Sequence, residues 1–237
     1  MKTRITELLG TRYPVIQGGR QLQRTAERAA ALSNAGGLGV LTAWAQPDPQ
    51  ALGSEIARCR GMTDQPFAIH IPLMSSASLA PYAACLEAAI DNDVRVLETA
   101  GNSPVAFVEQ ARRRGVRIIH QCTSLRHALS AERRGVDAIA IGGSCGVAPT
   151  GEPDASGLLL VALAARALRI PVIASGGIAD GRGMAAALAL GAEGVKLGGD
   201  APQCEEMVQR LVNECRAALA QAFRLAAVPG EEFCVEA

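Results

Sequence analysis

Eight short apolar runs recur along this 237-residue chain at intervals of 22 to 34 residues, and each is followed by a helix-forming segment. They are Pro14-Val-Ile-Gln17, Leu38-Gly-Val-Leu41, Phe67-Ala-Ile-His-Ile71, Val94-Arg-Val-Leu97, Val116-Arg-Ile-Ile119, Ala138-Ile-Ala-Ile141, Val172-Ile-Ala174 and Val195-Lys-Leu197. The intervening segments, such as Thr25 to Asn34 and Pro104 to Arg114, have helical apolar spacing. Several close with a glycine that leads at once into the next run: Arg114-Gly115-Val116, Arg134-Gly135-Val136 and Leu190-Gly191-Ala192. That is a helix C-cap entering a parallel strand. Eight such units without a break in composition predict a single (β/α)8 TIM barrel, residues 1–200. A C-terminal helix and tail, 201–237, would pack on it, the helix pattern running from Glu205 to Leu225. An open doubly wound sheet more often stops at five or six strands.

Composition narrows the function classes. Hydrophobic residues make up 49% of the chain, enough for a large core, while Lys plus Arg and Asp plus Glu balance at 23 each. A net charge of zero and 3% aromatics give no basic or base-stacking surface for nucleic acid. No apolar run approaches the ~18 residues of a membrane span, and no leader of signal-peptide type opens the chain. Seven cysteines without CxxC pairing fit a reducing, cytoplasmic setting.

In a β/α barrel the strand C-termini build the site. Those ends read Gln17-Gly18-Gly19-Arg20, Thr42, His70, Glu98-Thr99, His120-Gln121-Cys122, Gly142-Gly-Ser-Cys145, Ser175-Gly176-Gly177 and Gly198-Gly199. The glycine pairs after the last two strands are where a barrel commonly binds phosphate, because bare backbone N–H groups can converge there. Tight turns alone would also use glycine. His120 and Cys122 share a strand face, but the spacing shows no third metal ligand, so no metal is expected. Cys145 would be a nucleophile if a base lay near, with His120 the candidate by strand order; close packing of a small residue is the alternative. Glu98 reads as an orienter of loop backbone, His127 as structural, and Arg112 to Arg114 as a solvated helix end.

Longer phrases carry a resemblance. YPVIQGG, AALSNAGGLGVLTA, Met62-Thr-Asp-Gln-Pro-Phe67, LETAGNSP, HQCTSLRHALSAERRGVDAIAI and IPVIASGGIADGRGMAAALALGAEGV resemble, in order and almost without gaps from Met1 to Gly198, the nitronate monooxygenase family. These are FMN-dependent barrels related to flavin-dependent enoyl-ACP reductases. The resemblance implies FMN as cofactor, its phosphate on Ser175, Gly176, Gly177, Gly198 and Gly199 and its ring over Gln17, Gly18, Gly19 and Arg20, with His70 and Gln121 as further contacts. It implies a flavin oxidation of an alkyl nitronate or a related small substrate; His70 and Gln121, at positions of that family's site, join Cys145, read from its own loop, as the catalytic candidates. The departures are specific. Arg20 replaces a methionine, His70 an asparagine, and Gln121 the lysine of the family's HKCTS phrase. The family's catalytic histidine falls on Pro149, or on Ala148 after a one-residue shift. Gly199-Asp200-Ala201 replaces Thr-Arg-Phe, and the lid that follows the last strand is missing internally. Two alternatives follow from those losses: a lid-less binding or partner protein without redox activity, or a non-flavin lyase or isomerase that keeps the phosphate site. An open mouth also predicts a homo-oligomer that covers it.

Overall fold

The computed structural model describes residues 1–18, 25–73, 80–142, 157–197 and 205–226. Each apolar run forms a strand: β1 Val15–Gln17, β2 Gly39–Thr42, β3 Phe67–Leu73, β4 Val96–Gly101, β5 Arg117–Cys122, β6 Ala138–Ile141, β7 Val172–Ser175 and β8 Gly194–Leu197. Helices α1 Arg4–Leu9, α2 Ala26–Asn34, α3 Pro49–Arg60, α4 Ala80–Asp91, α5 Val105–Arg113, α6 Leu125–Arg133, α7 Gly157–Ala167, α8 Gly181–Ala189 and α9 Glu205–Ala226, with a single 3-10 turn Ala43–Ala45 after β2, complete the described elements. The strands pair in parallel in the order β1-β8-β7-β6-β5-β4-β3-β2. A bridge between Ile16 and Leu38, with Leu38 N donating to Val15 O at 2.8 Å, closes β2 onto β1. The predicted (β/α)8 barrel is the observed fold.

Local chemistry explains the element ends. Asp180 caps α8, its Oδ1 accepting from Gly183 N at 2.9 Å, and Ser124 caps α6 by accepting from His127 N at 3.2 Å. The predicted C-cap glycines Gly115, Gly135 and Gly191 take left-handed φ of 69°, 87° and 98°. Strands β3, β4 and β5 run further toward their C-termini than apolarity alone predicts, and β4 starts two residues later than Val94. The added residues include the polar Glu98, Thr99, His120 and Gln121, which are held in register: Glu98 opposite His70, and Thr99 opposite His120.

The core has two compartments. Inside the barrel lie Ile16, Leu38, Val40, Ala68, Val96, Ile119, Ala138, Ala140 and Ile173, and α1 plugs the amino-terminal end with Ile5 and Leu9. The larger compartment fills the space between strands and helices. There α9 adds Val208, Leu211, Val212 and Cys215, packed against α8.

Candidate functional site at the barrel mouth

Strand periodicity builds the site. Side chains two apart on a strand share a face, so the residue two beyond each interior apolar position also faces the axis. Counting on from Ile16, Val40, Ala68, Val96, Ile119, Ala140, Ile173 and Gly194 gives Gly18, Thr42, His70, Glu98, Gln121, Gly142, Ser175 and Lys196. One residue per strand, none of them apolar beyond glycine, forms a polar ring at the carboxyl-terminal mouth. This is the end where barrel enzymes carry their chemistry.

The ring is organised by one buried charge pair. Lys196 is 7% exposed and Glu98 1%, and the Lys196 ammonium donates to Glu98 Oε1 across the barrel. Lys196 Nζ also donates to Gln121 Oε1 at 3.1 Å, and His70 Nδ1 lies 3.0 Å from the second oxygen of Glu98. Four strands, β3, β4, β5 and β8, are thus tied through a single carboxylate and a single ammonium. Glu98, read from the sequence as an orienter of loop backbone, points into the barrel, where it holds Lys196 and lies beside His70. Next to His70, the hydroxyl of Thr42 is buried and makes no hydrogen bond among the described residues. A buried polar atom left in this way normally has a partner.

The remaining ring positions are small. At Gly142 a Cβ would sit 1.7 Å from Ser175 O, so β6 and β7 approach here too closely for any side chain. Ser175 runs into Gly176 and Gly177, both left-handed at φ 83° and 73°, and a Cβ on Gly177 would meet nothing within 4 Å. The chain turns back sharply and leaves open space beside the end of β7. An unpaired hydroxyl, open space over a glycine turn and a fixed cation make up a surface that fits a planar, phosphate-bearing group. On the rim, Trp44 is 46% exposed and stacks on Tyr82 with ring centroids 5.9 Å apart and planes 12° from parallel.

Of the site residues expected from sequence, Gly18, His70, Gln121 and Ser175 fall in the ring, and Gly176 and Gly177 follow it. Gln17 faces the other way: its Oε1 accepts from Val40 N at 2.8 Å, so its side chain sews β1 to β2. Gly19, Arg20, Cys145, Gly198 and Gly199 lie outside the described residues, as do Pro149, Ala148 and the missing-lid junction. Sequence reasoning passed over Lys196, although a lone lysine inside Gly-Val-Lys-Leu is the signal that finds it.

His120 and Cys122 also occupy the other parity. They face the helix layer, so His120 is not a mouth residue and does not serve as a base there. Their face meets α6, where His127 supplies the third donor that spacing did not reveal; the three donor atoms lie within 4.8 Å of one another. Thr99 Oγ1 donates to Ile119 O at 3.4 Å and therefore accepts from His120 Nδ1–H at 2.8 Å. This leaves His120 Nε2 to accept from His127 Nε2–H at 3.1 Å, with the rings edge-on at 81°. Burial, with His127 adding to it, pushes the His120 imidazole down to about 3, and burial pushes the Cys122 thiol up to about 12. Hydrogen bonds account for both imidazoles.

An eight-stranded parallel barrel with a polar, glycine-flanked mouth is a (β/α)8 protein of the class that carries its chemistry at that end. A model of the nitronate monooxygenase family matches residues 2–214, and the chain belongs to that family. Among curated relatives, it is 37% identical over 198 residues to (3aS,4S,5R,7aS)-5-hydroxy-7a-methyl-1-oxo-octahydro-1H-indene-4-carboxyl-CoA dehydrogenase of Rhodococcus jostii, covering 84% of this chain and 54% of the relative. It is 30% identical over 239 residues to a probable nitronate monooxygenase of Staphylococcus saprophyticus, covering 84% and 67%. Similar solved structures include FabK from Thermotoga maritima, with a TM-score of 0.75, 37% identity and coverage of 84% and 61%. Another is nitroalkane oxidase from Streptomyces ansochromogenes, with a TM-score of 0.71, 25% identity and coverage of 82% and 66%. The chain spans between about half and two thirds of the length of these relatives. No helix among the described residues is long and apolar enough to cross a membrane.

Proposed function

We propose that this chain is an FMN-dependent oxidoreductase of the nitronate monooxygenase type, acting on alkyl nitronates or a related small substrate at the barrel mouth. The observation that carries this reading is the polar ring: a fixed ammonium on β8 next to the open glycine turn at Gly176-Gly177 that follows β7, and on β2 a Thr42 hydroxyl with no hydrogen-bond partner among the described residues. When bound, the flavin supplies the two-electron acceptor that none of these side chains can provide. Gly176 and Gly177 would admit its phosphate to the backbone, and Thr42 and Gln121 would offer hydrogen bonds to its ring. The apolar interior beneath, from Ile16 to Ile173, excludes water from below. Ser175 marks the boundary between the phosphate end and the ring. A second copy of the chain would cover the mouth, with exposed Leu158, Leu159 and Leu163 on α7 as the apolar surface offered to it.

A second reading, oxidation of a CoA thioester, draws on two observations. Identity to the carboxyl-CoA dehydrogenase exceeds that to the probable nitronate monooxygenase, 37% against 30%. The position of the expected nitronate base also carries Pro149 or Ala148.

Purified protein decides the cofactor. A yellow visible spectrum, with FMN released on denaturation, is the expected result. A colourless protein that takes up no added FMN refutes the proposal. With flavin bound, oxygen consumption on alkyl nitronates against reduction of the flavin by CoA thioesters separates the two substrate readings.

A further inference from the structure

We propose that Lys196 is the cation that a bound flavin ring meets, placed by Glu98 and Gln121 to face the ring's electron-rich pyrimidine edge. This rests on the flavin reading above. Its position is the first argument. Lys196 on β8 pairs with Ile16 of β1 on one side and with Ser175 of β7 on the other. It therefore stands between the two strands whose glycine ends flank the mouth.

The second argument is how the charge is held. The Lys196 ammonium is gripped by Glu98 Oε1 on β4 and by Gln121 Oε1 on β5, from the opposite wall of the barrel. Glu98 is itself steadied by His70 at 3.0 Å. An ammonium only donates, so the Gln121 amide must turn its oxygen toward Lys196 and its NH2 group away. The pair thereby presents a fixed positive charge beside an oriented amide donor. An ammonium donor fixed before the ligand arrives, in a site with an apolar floor, acts without reorganisation even though Glu98 offsets part of its charge. The complement of such a pair is a ring edge rich in carbonyl oxygens that gains negative charge on reduction.

The third argument is economy. A buried ion pair is a poor device for stability, because apolar residues of similar size hold a core as well or better. Every other ring member is small or polar, and the interior one layer below is wholly apolar. The charge is confined to the layer a ligand would touch. It also stands within hydrogen-bond reach of Gln121, the position at which this chain departs from the lysine expected by resemblance, so a cation is present at that point from the opposite strand.

The test uses the full chain stripped of flavin and titrated with FMN, read by quenching of Trp44, the single tryptophan, and by flavin fluorescence. Lys196→Gln is expected to weaken FMN binding at least tenfold and to lower the flavin reduction potential. Each further tenfold loss in preference for the reduced form corresponds to about 30 mV for a two-electron couple. Adding Gln121→Lys to Lys196→Gln should restore both quantities toward the parent, which a purely structural lysine would not predict. Glu98→Gln/Lys196→Gln removes the ammonium together with its counter-charge and so spares the fold, and weakened FMN binding is expected of it if the single variant does not fold. A folded variant that binds FMN with parental affinity and potential overturns the assignment and leaves the flavin reading standing. A parental chain that takes up no FMN overturns both.

Discussion

Lys196→Met breaks the buried charge pair from one side and tests how the barrel carries charge in its mouth. Glu98 is 1% exposed, so its carboxylate cannot recover in water what it loses in the barrel. His70 stays 3.0 Å away, but an imidazole does not replace the full ammonium. Stranding one partner of a buried pair typically costs about 3–5 kcal/mol, whereas removing both costs little or stabilises. For a chain of this size each kcal/mol moves the melting temperature by about 2–4 °C, so the single variant should melt roughly 6–20 °C lower. Glu98→Gln/Lys196→Met should recover most of that loss. Urea unfolding followed by Trp44 fluorescence measures the cycle, with an unchanged m-value showing that the native state keeps its extent. A single variant that loses less than about 1 kcal/mol, the range of solvent-exposed pairs, would refute the reasoning.

Three further outcomes follow from the geometry. His120 titrates near 3 in the folded chain against about 6.5 unfolded, so below about pH 6.5 the unfolded state binds more protons. Stability is then lost on acidification at about 1.4 kcal/mol per pH unit until about pH 3; His120→Gln should flatten that acid limb, and a melting-temperature profile unchanged from the parent would contradict it. Gly142→Ala places a methyl on Ser175 O and should separate β6 from β7, visible as a large loss of folded protein in circular dichroism; a parental melt would show that the approach is looser than described. Thr42→Val removes a buried hydroxyl without a partner among the described residues, so it should leave stability unchanged or raise it by about 1 kcal/mol while weakening FMN binding. Destabilisation with unaltered binding would mean the hydroxyl serves the fold.

Much of the barrel was legible because its repeat is covalent. Apolar run, helix, C-cap glycine and next run succeed each other in the chain, and Asp180, Gly115, Gly135 and Gly191 do what their residue types dictate. The site was legible only at its strand ends. His70 and Gln121 could be placed at the mouth by counting, but the direction in which each side chain points depends on register. Strands buried on both faces show no polar alternation from which to read that direction. So His120 and Gln121, adjacent in sequence, divide between the helix layer and the mouth. The partnership of Lys196 with Glu98 spans 98 residues and exists only once β4 and β8 stand across a closed ring. His127 reaches His120 and Cys122 from only a few residues along the chain, but does so because α6 folds back over β5, which spacing alone does not state.

The plug at the barrel's amino-terminal end has a consequence for synthesis. Thr3 Oγ1 donates to Glu193 O at 2.7 Å, and Arg4 pairs with the Glu193 carboxylate and donates to Arg169 O. Ile16 takes its place beside Lys196, about 180 residues further along. At typical translation rates of about 5–20 residues per second, that wait is roughly 9–36 s. Throughout it, the first strand leaves the ribosome with its β8 edge unsatisfied, although β2 can already pair with it on the other side. Sealing therefore cannot precede the emergence of β8, and α1 gains its contacts to Glu193 only then. The exposed edge of β1 is where a nascent chain is most open to pairing with a neighbour, and where a chaperone has most to shield.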